Sequence, residues 1–148
     1  MRFPSLAEMK RYPRIAVDFE VANNADLAMM RAGRIGPGSI RRVKLRGLVD
    51  CRIWQVILPK DVIKHLGIVA EERIKIVSPG RRSRLRPLAE GVHLELNGRD
   101  IVFHAIVAPK GDRPIIGRNV LVALDLLVDA NKKRLVPRNP KHIVVELG

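Results

Sequence analysis

Threonine is absent from this chain of 148 residues, and cysteine, tryptophan and tyrosine occur once each. A single cysteine excludes an internal disulfide and fits a reducing interior. Aromatic residues make up only 3% of the sequence, too few stacking platforms for a protein that grips single strands by their bases. Acidic residues are scarce: 15 Asp and Glu stand against 28 Lys and Arg, for a formal charge of +13. No apolar run approaches the ~18 residues of a membrane span, so no membrane association is expected. The opening "MRFPSLAEMKRYPRIA" is charged and broken by proline, without an apolar core. It is not read as a secretory signal, and the cytoplasm is the expected location.

A chain of this length is expected to form one domain that buries about two-thirds of its unfolded surface. Its cationic excess attracts polyanions, although a merely solvated basic surface is the competing explanation. Residues 1–14 read as a basic extension, 15–138 as the domain, and 139–148 as a tail carrying a last strand. "IAVDFEV" (15–21) alternates with period two, as a strand with one solvated face does. Residues 23–39 form a long connection in which "ADLAMMRA" suits a helical turn, and 40–50 read as a strand running from surface to core. "IWQVILP" (53–59) is a β-branched strand that stops at Pro59, and "PKDVIKHLGI" (59–68) fits a short helix ended by Gly67. "RIKIV" (73–77) alternates before the turn "SPGR". "VHLELNGRDIVFHAIV" (92–107) is a hairpin through Asn97-Gly98. Residues 115–129 read as strand, glycine, one or two helical turns and strand, and "HIVVEL" (142–147) as a final alternating strand. Many short strands with one or two short helices give an all-β class, barrel or sandwich.

The chemistry-bearing stretch is "LVDCRIWQVILP", where two apolar runs meet at Asp50. Its carboxyl is either a catalytic acid or a retained buried group paired with Arg52 or capping a turn. Cys51 with His65, His93, His104 or His142 follows no nucleophile signature, and a buried, inert thiol is the expectation. The same residues give no zinc spacing, and "GRIGPG" lacks the Lys-Ser/Thr of a phosphate loop, so neither metal nor cofactor is expected.

The order of these elements resembles the retropepsin-like aspartic proteases of prokaryotes, single-domain relatives of retroviral proteases. The similarity lies in "LVD…VILPKDVIKHLGI", the flap-like hairpin around "SPGR", and "PIIGRNVLVALDLLVD", over roughly residues 15–137. It implies a closed β-barrel and, in active members, a homodimer. Each subunit of such a dimer gives one Asp, from an Asp-Thr-Gly motif, to a pair that shares a proton. Only Asp50 matches that motif. Cys51 stands where Thr is expected and Arg52 where Gly is expected. Ile53 takes the next small position, and the chain has no threonine to substitute for the interlocking hydroxyl. A guanidinium beside Asp50 favours its ionised form and opposes a shared proton.

The basic clusters supply the other reading. Arg31, Arg34, Arg41, Arg42, Lys44 and Arg46 lie in one acid-free stretch. Arg81, Arg82, Arg84 and Arg86 crowd the flap, and Lys132, Lys133, Arg134, Arg138 and Lys141 the tail. Arginines in loops reach phosphates bidentately and gain affinity by counterion release. The expected function is therefore a non-catalytic retropepsin-like protein that binds nucleic acid. Structured RNA in a ribonucleoprotein such as the ribosome is the expected target. The alternative is a homodimeric aspartic endopeptidase, acting on peptides, with Asp50 from each subunit. Only that alternative implies a peptide substrate, and a homodimer is compatible with either.

Overall fold

Alternation along the chain sets the first pairing. β1 (Ile15–Asn23) runs antiparallel to β2 (Arg42–Val49), from Ile15 opposite Val49 to Ala22 opposite Arg42. The apolar residues Ile15, Phe19, Val21 and Val49 turn inward and are buried. The intervening positions place Asp18 opposite Arg46 and Glu20 opposite Lys44, so acid meets base across the outer face. This computed structural model describes residues 14–77, 80 and 82–147.

The remaining elements in chain order are α1 (Asn24–Arg31), β3 (Val56–Pro59), α2 (Lys60–His65), β4 (Glu72–Ile76) and β5 (Arg84–Leu96). They are followed by β6 (Arg99–Ala108), β7 (Ile115–Ile116), α3 (Arg118–Leu124), β8 (Leu126–Asp129) and β9 (Arg134–Pro137). Seven strands pair in the order β1-β2-β7-β3-β6-β5-β4, and β1 also pairs with β5. Six strands thus form a ring of pairings, with β4 outside it on β5. Val56, Leu58, Leu94, Leu96, Ile116 and Leu124 fill the middle and are almost fully buried, each worth about 1.5–3 kcal/mol of burial.

Several sequence expectations hold at residue level. Asn97 and Gly98 both take positive φ, 53° and 74°, the geometry of a two-residue I′ hairpin between β5 and β6. β3 stops at Pro59, which caps α2. Strand β7, Gly117, helix α3 and β8 follow in the predicted succession.

Three expectations need correcting. There are three α-helices among the described residues, not one or two. "NADLAMMR" closes a two-turn helix because the Asn23 side chain accepts from the Asp26 N–H and also donates to the Leu66 carbonyl. β3 starts at Val56 rather than residue 53, since the Asp50 carbonyl accepts from Ile53 N–H and folds 50–53 into a turn. "HIVVEL" is not a strand: alternation alone does not make one without an edge to pair with. Instead Val144 N–H donates to the Asp125 carboxylate, and Ile143, Val144, Val145 and Leu147 remain exposed.

β4 pairs with β5 from Glu72–Leu88 to Ile76–Arg84, whereas β6 meets β5 only from Leu88 onward. Residues 84–87 and β4 therefore form a two-stranded arm beyond the ring. Ser78, Pro79 and Arg81, on which the expected turn "SPGR" and the flap-like hairpin around it fall, lie outside the described residues.

Candidate functional site

The end of β2, the turn after it and the start of α3 converge on Asp50. Its N–H donates to the Ile116 carbonyl at 3.0 Å. The first turn of α3 is stitched to the same loop, with Arg118 N–H donating to Ile53 O (2.7 Å) and Asn119 N–H to Trp54 O (3.0 Å). That approach requires Gly117. A Cβ there would stand 2.1 Å from the Gln55 carbonyl oxygen and 2.5 Å from that of Trp54.

Asp50 itself is 4% exposed. Arg52 closes on it as a fork, donating Nε to Oδ1 (3.0 Å) and Nη2 to Oδ2 (2.9 Å), while its backbone N–H also reaches Oδ1 (3.1 Å). Both alternatives raised from sequence for a retained carboxyl, pairing with Arg52 and capping a turn, are present together. These hydrogen bonds hold the Asp50 pKa below the usual carboxylate value against the upward pressure of burial. The neighbouring Cys51 is buried, and burial followed by the charge of Asp50 pushes its thiol pKa up. Such a thiol is a poor nucleophile. Trp54 is exposed, with the Arg118 guanidinium 5.0 Å from its ring centroid. The loop thus presents an ionised carboxylate already neutralised by a cation.

The basic residues divide into two sets. Arg41 is tied to Asp26 by Nε (2.9 Å), Nη2 (3.0 Å) and its backbone N–H (3.0 Å). Chiefly through the side-chain bonds, this pulls the Asp26 pKa down to about 2. Arg42 pairs with Glu20 at 3.1 Å and Arg46 with Asp18 at 2.9 Å. Arg138, expected from sequence among the phosphate-facing cations, is buried instead. It donates to Asp125 and to Glu146. Asp125 is fully buried at the left-handed C-terminus of α3. Burial raises its pKa, but hydrogen bonds from Asn139, Arg138 and Val144 outweigh that and the net shift is downward. The sequence reading missed this latch, although an acid inside the apolar run "LVALDLLV" was a signal for it. The Asp26–Arg41 pair had no such signal.

The second set keeps its charge to solvent. Arg31, Arg34, Lys44, Arg82, Arg84, Lys132, Lys133, Arg134 and Lys141 are exposed and Arg86 is half-buried. None of them has an ion-pair partner among the described residues. Arg81 lies outside the described residues. Arg82, Arg84 and Arg86 gather on the arm, where they line a hollow of about 590 Å³ floored by Ile57, Ile106 and Val107.

No helix among the described residues is long and apolar enough to cross a membrane. No protein-family model matches the chain, and no curated protein matches it. Among solved structures it is similar to the retroviral protease-like domain of Ddi1 from Leishmania major. The identity is 20% and the TM-score 0.44, over 66% of this chain and 81% of that one.

Proposed function

We propose that this chain is a non-catalytic protein of the retropepsin type that binds nucleic acid through exposed arginines and lysines. Structured RNA in a ribonucleoprotein such as the ribosome is the proposed target. The order of parts supports the fold assignment: an Asp-bearing turn between β2 and β3, a strand running into α2, an arm made by β4 and β5, and a strand-glycine-helix unit against the Asp turn. The observation that carries the functional reading is the way the cations are distributed. Arg52 occupies the one carboxylate that this chain could give to catalysis, whereas Arg82 and Arg84 are exposed and have no ion-pair partner among the described residues.

Exposed guanidinium groups bind phosphate oxygens in pairs, and neutralising a polyanion releases its counterions. With so few aromatic residues, bases contribute little, and backbone shape sets the preference. Native purification tests the reading. RNA is expected to travel with the protein, visible in the ultraviolet absorbance ratio and abolished by ribonuclease. A nucleic-acid-free protein that cleaves peptides, and loses that cleavage in Asp50→Asn, would overturn it in favour of the endopeptidase.

A further inference from the structure

The arginine-lined hollow does not end at the arm. A second hollow of about 740 Å³ shares Arg86, Val107, Ala108 and Pro109 with it and is bounded by Lys60 and Lys64 of α2 and by Lys110 after β6. The two hollows adjoin through these residues and are taken together as one trough. Six cations line it, Arg82, Arg84, Arg86, Lys60, Lys64 and Lys110, against one carboxylate, Asp112. None of the six has an ion-pair partner among the described residues. We infer that this trough is the nucleic-acid site and that it holds the sugar–phosphate backbone of one RNA strand. The inference rests on the nucleic-acid-binding reading and narrows it to a place.

The spacing of the cations fits that occupant. Arg84 and Arg86 lie two residues apart on β5, opposite Ile76 and Ile74, so they share one face about 7 Å apart. Lys60 and Lys64 are four apart in α2, which stacks them on one helix face about 6 Å apart. Both rows match the step between successive phosphates along a strand. The floor of Ile57, Ile106 and Val107 offers sugars and base edges apolar contact without stacking, so binding should ignore base identity. By contrast, Arg41, Arg42 and Arg46 of the 31–46 stretch are committed to Asp26, Glu20 and Asp18.

Two triple variants test the assignment against a mixed-sequence single-stranded RNA oligonucleotide: Arg82→Ala with Arg84→Ala and Arg86→Ala, and Lys60→Ala with Lys64→Ala and Lys110→Ala. A third, Arg41→Ala with Arg42→Ala and Arg46→Ala, removes equal charge from cations already committed to carboxylates. Each trough variant is expected to bind at least about tenfold more weakly and to lower the salt slope by about 2, at ~0.7 per lost single-strand contact. The control should stay within about threefold of the parent protein. Arg84→Lys with Arg86→Lys keeps the charge and should retain most of the affinity, which separates lost contacts from a misfolded arm. Equal losses in all three triples, or tighter binding of polyglutamate than of RNA, would overturn the trough. RNA binding that survives both trough variants would also overturn it and leave the broader reading standing. If the parent protein binds no RNA at all, it is the broader reading that fails.

Discussion

Replacing Gly117 by alanine tests the packing that shapes the Asp50 loop. The new Cβ would meet two backbone oxygens, Gln55 at 2.1 Å and Trp54 at 2.5 Å, and neither can swing aside as a flexible side chain would. Helix α3 must back away, which breaks the Arg118 N–H bond to Ile53 O and the Asn119 N–H bond to Trp54 O. Overpacking of this kind costs about 1–3 kcal/mol, and two lost hydrogen bonds add about 1 kcal/mol each. A loss of about 3–5 kcal/mol corresponds to a fall in Tm of about 6–20 °C for a domain of this size. Gly36→Ala is the matched control, since its φ is −79° and nothing lies within 4 Å of the added methyl. It should move stability by no more than about 0.5 kcal/mol. Thermal melts followed by circular dichroism measure both. A Gly117→Ala protein that melts within a degree or two of the parent would refute the close approach and the stitching inferred from it.

Four further outcomes follow from the charge arrangement. Carboxyl-resolved NMR titration should find Asp50 ionising below the usual carboxylate range, because Arg52 holds its charged form. In Arg52→Ala the midpoint should rise, since only the backbone N–H of residue 52 and the charge of Arg14 then oppose burial, and an unchanged midpoint would contradict the fork. Asp26, with its pKa depressed to about 2, adds stability that is complete above its unfolded value near 3.8 and lost as pH falls through about 2. The stability gap between the parent and Asp26→Asn, by urea unfolding, should therefore narrow over that window rather than widen. Arg41→Ala should lower stability while leaving RNA affinity within about threefold, the opposite pattern to the exposed Arg84→Ala. Arg138→Met should lower the melting temperature more than any single substitution among Arg31, Arg34 and Arg84, because it leaves the buried Asp125 without its main cation.

Most of the strand order was readable because period-two alternation and turn chemistry act locally. Asn97-Gly98 dictates its own hairpin, Pro59 ends its own strand, and Arg52 is close enough in sequence to Asp50 for their pairing to be foreseen. What escaped depends on contacts between distant segments. Whether Arg41, Arg42 and Arg46 face phosphates or carboxylates is decided by the register of β2 on β1 and by a loop that brings Arg41 to Asp26, 15 residues away. Arg138 reads as one more cation in a basic tail until the C-terminus of α3 places Asp125 beside it. "HIVVEL" has a strand's alternation but pairs with no edge among the described residues. The trough was half legible: the arginines cluster in sequence, while Lys60, Lys64 and Lys110 join them only where α2 and the end of β6 come together.

The salt dependence of binding to a structured RNA bears most directly on the central claim that this is a cationic, non-catalytic RNA-binding protein. Six backbone contacts to one strand of that RNA, at ~0.7 per single-strand contact, give a slope of about −4, so raising salt from ~50 to ~200 mM should weaken binding by about 300-fold. A flat response over that range, or no binding at its lower end, would contradict the claim.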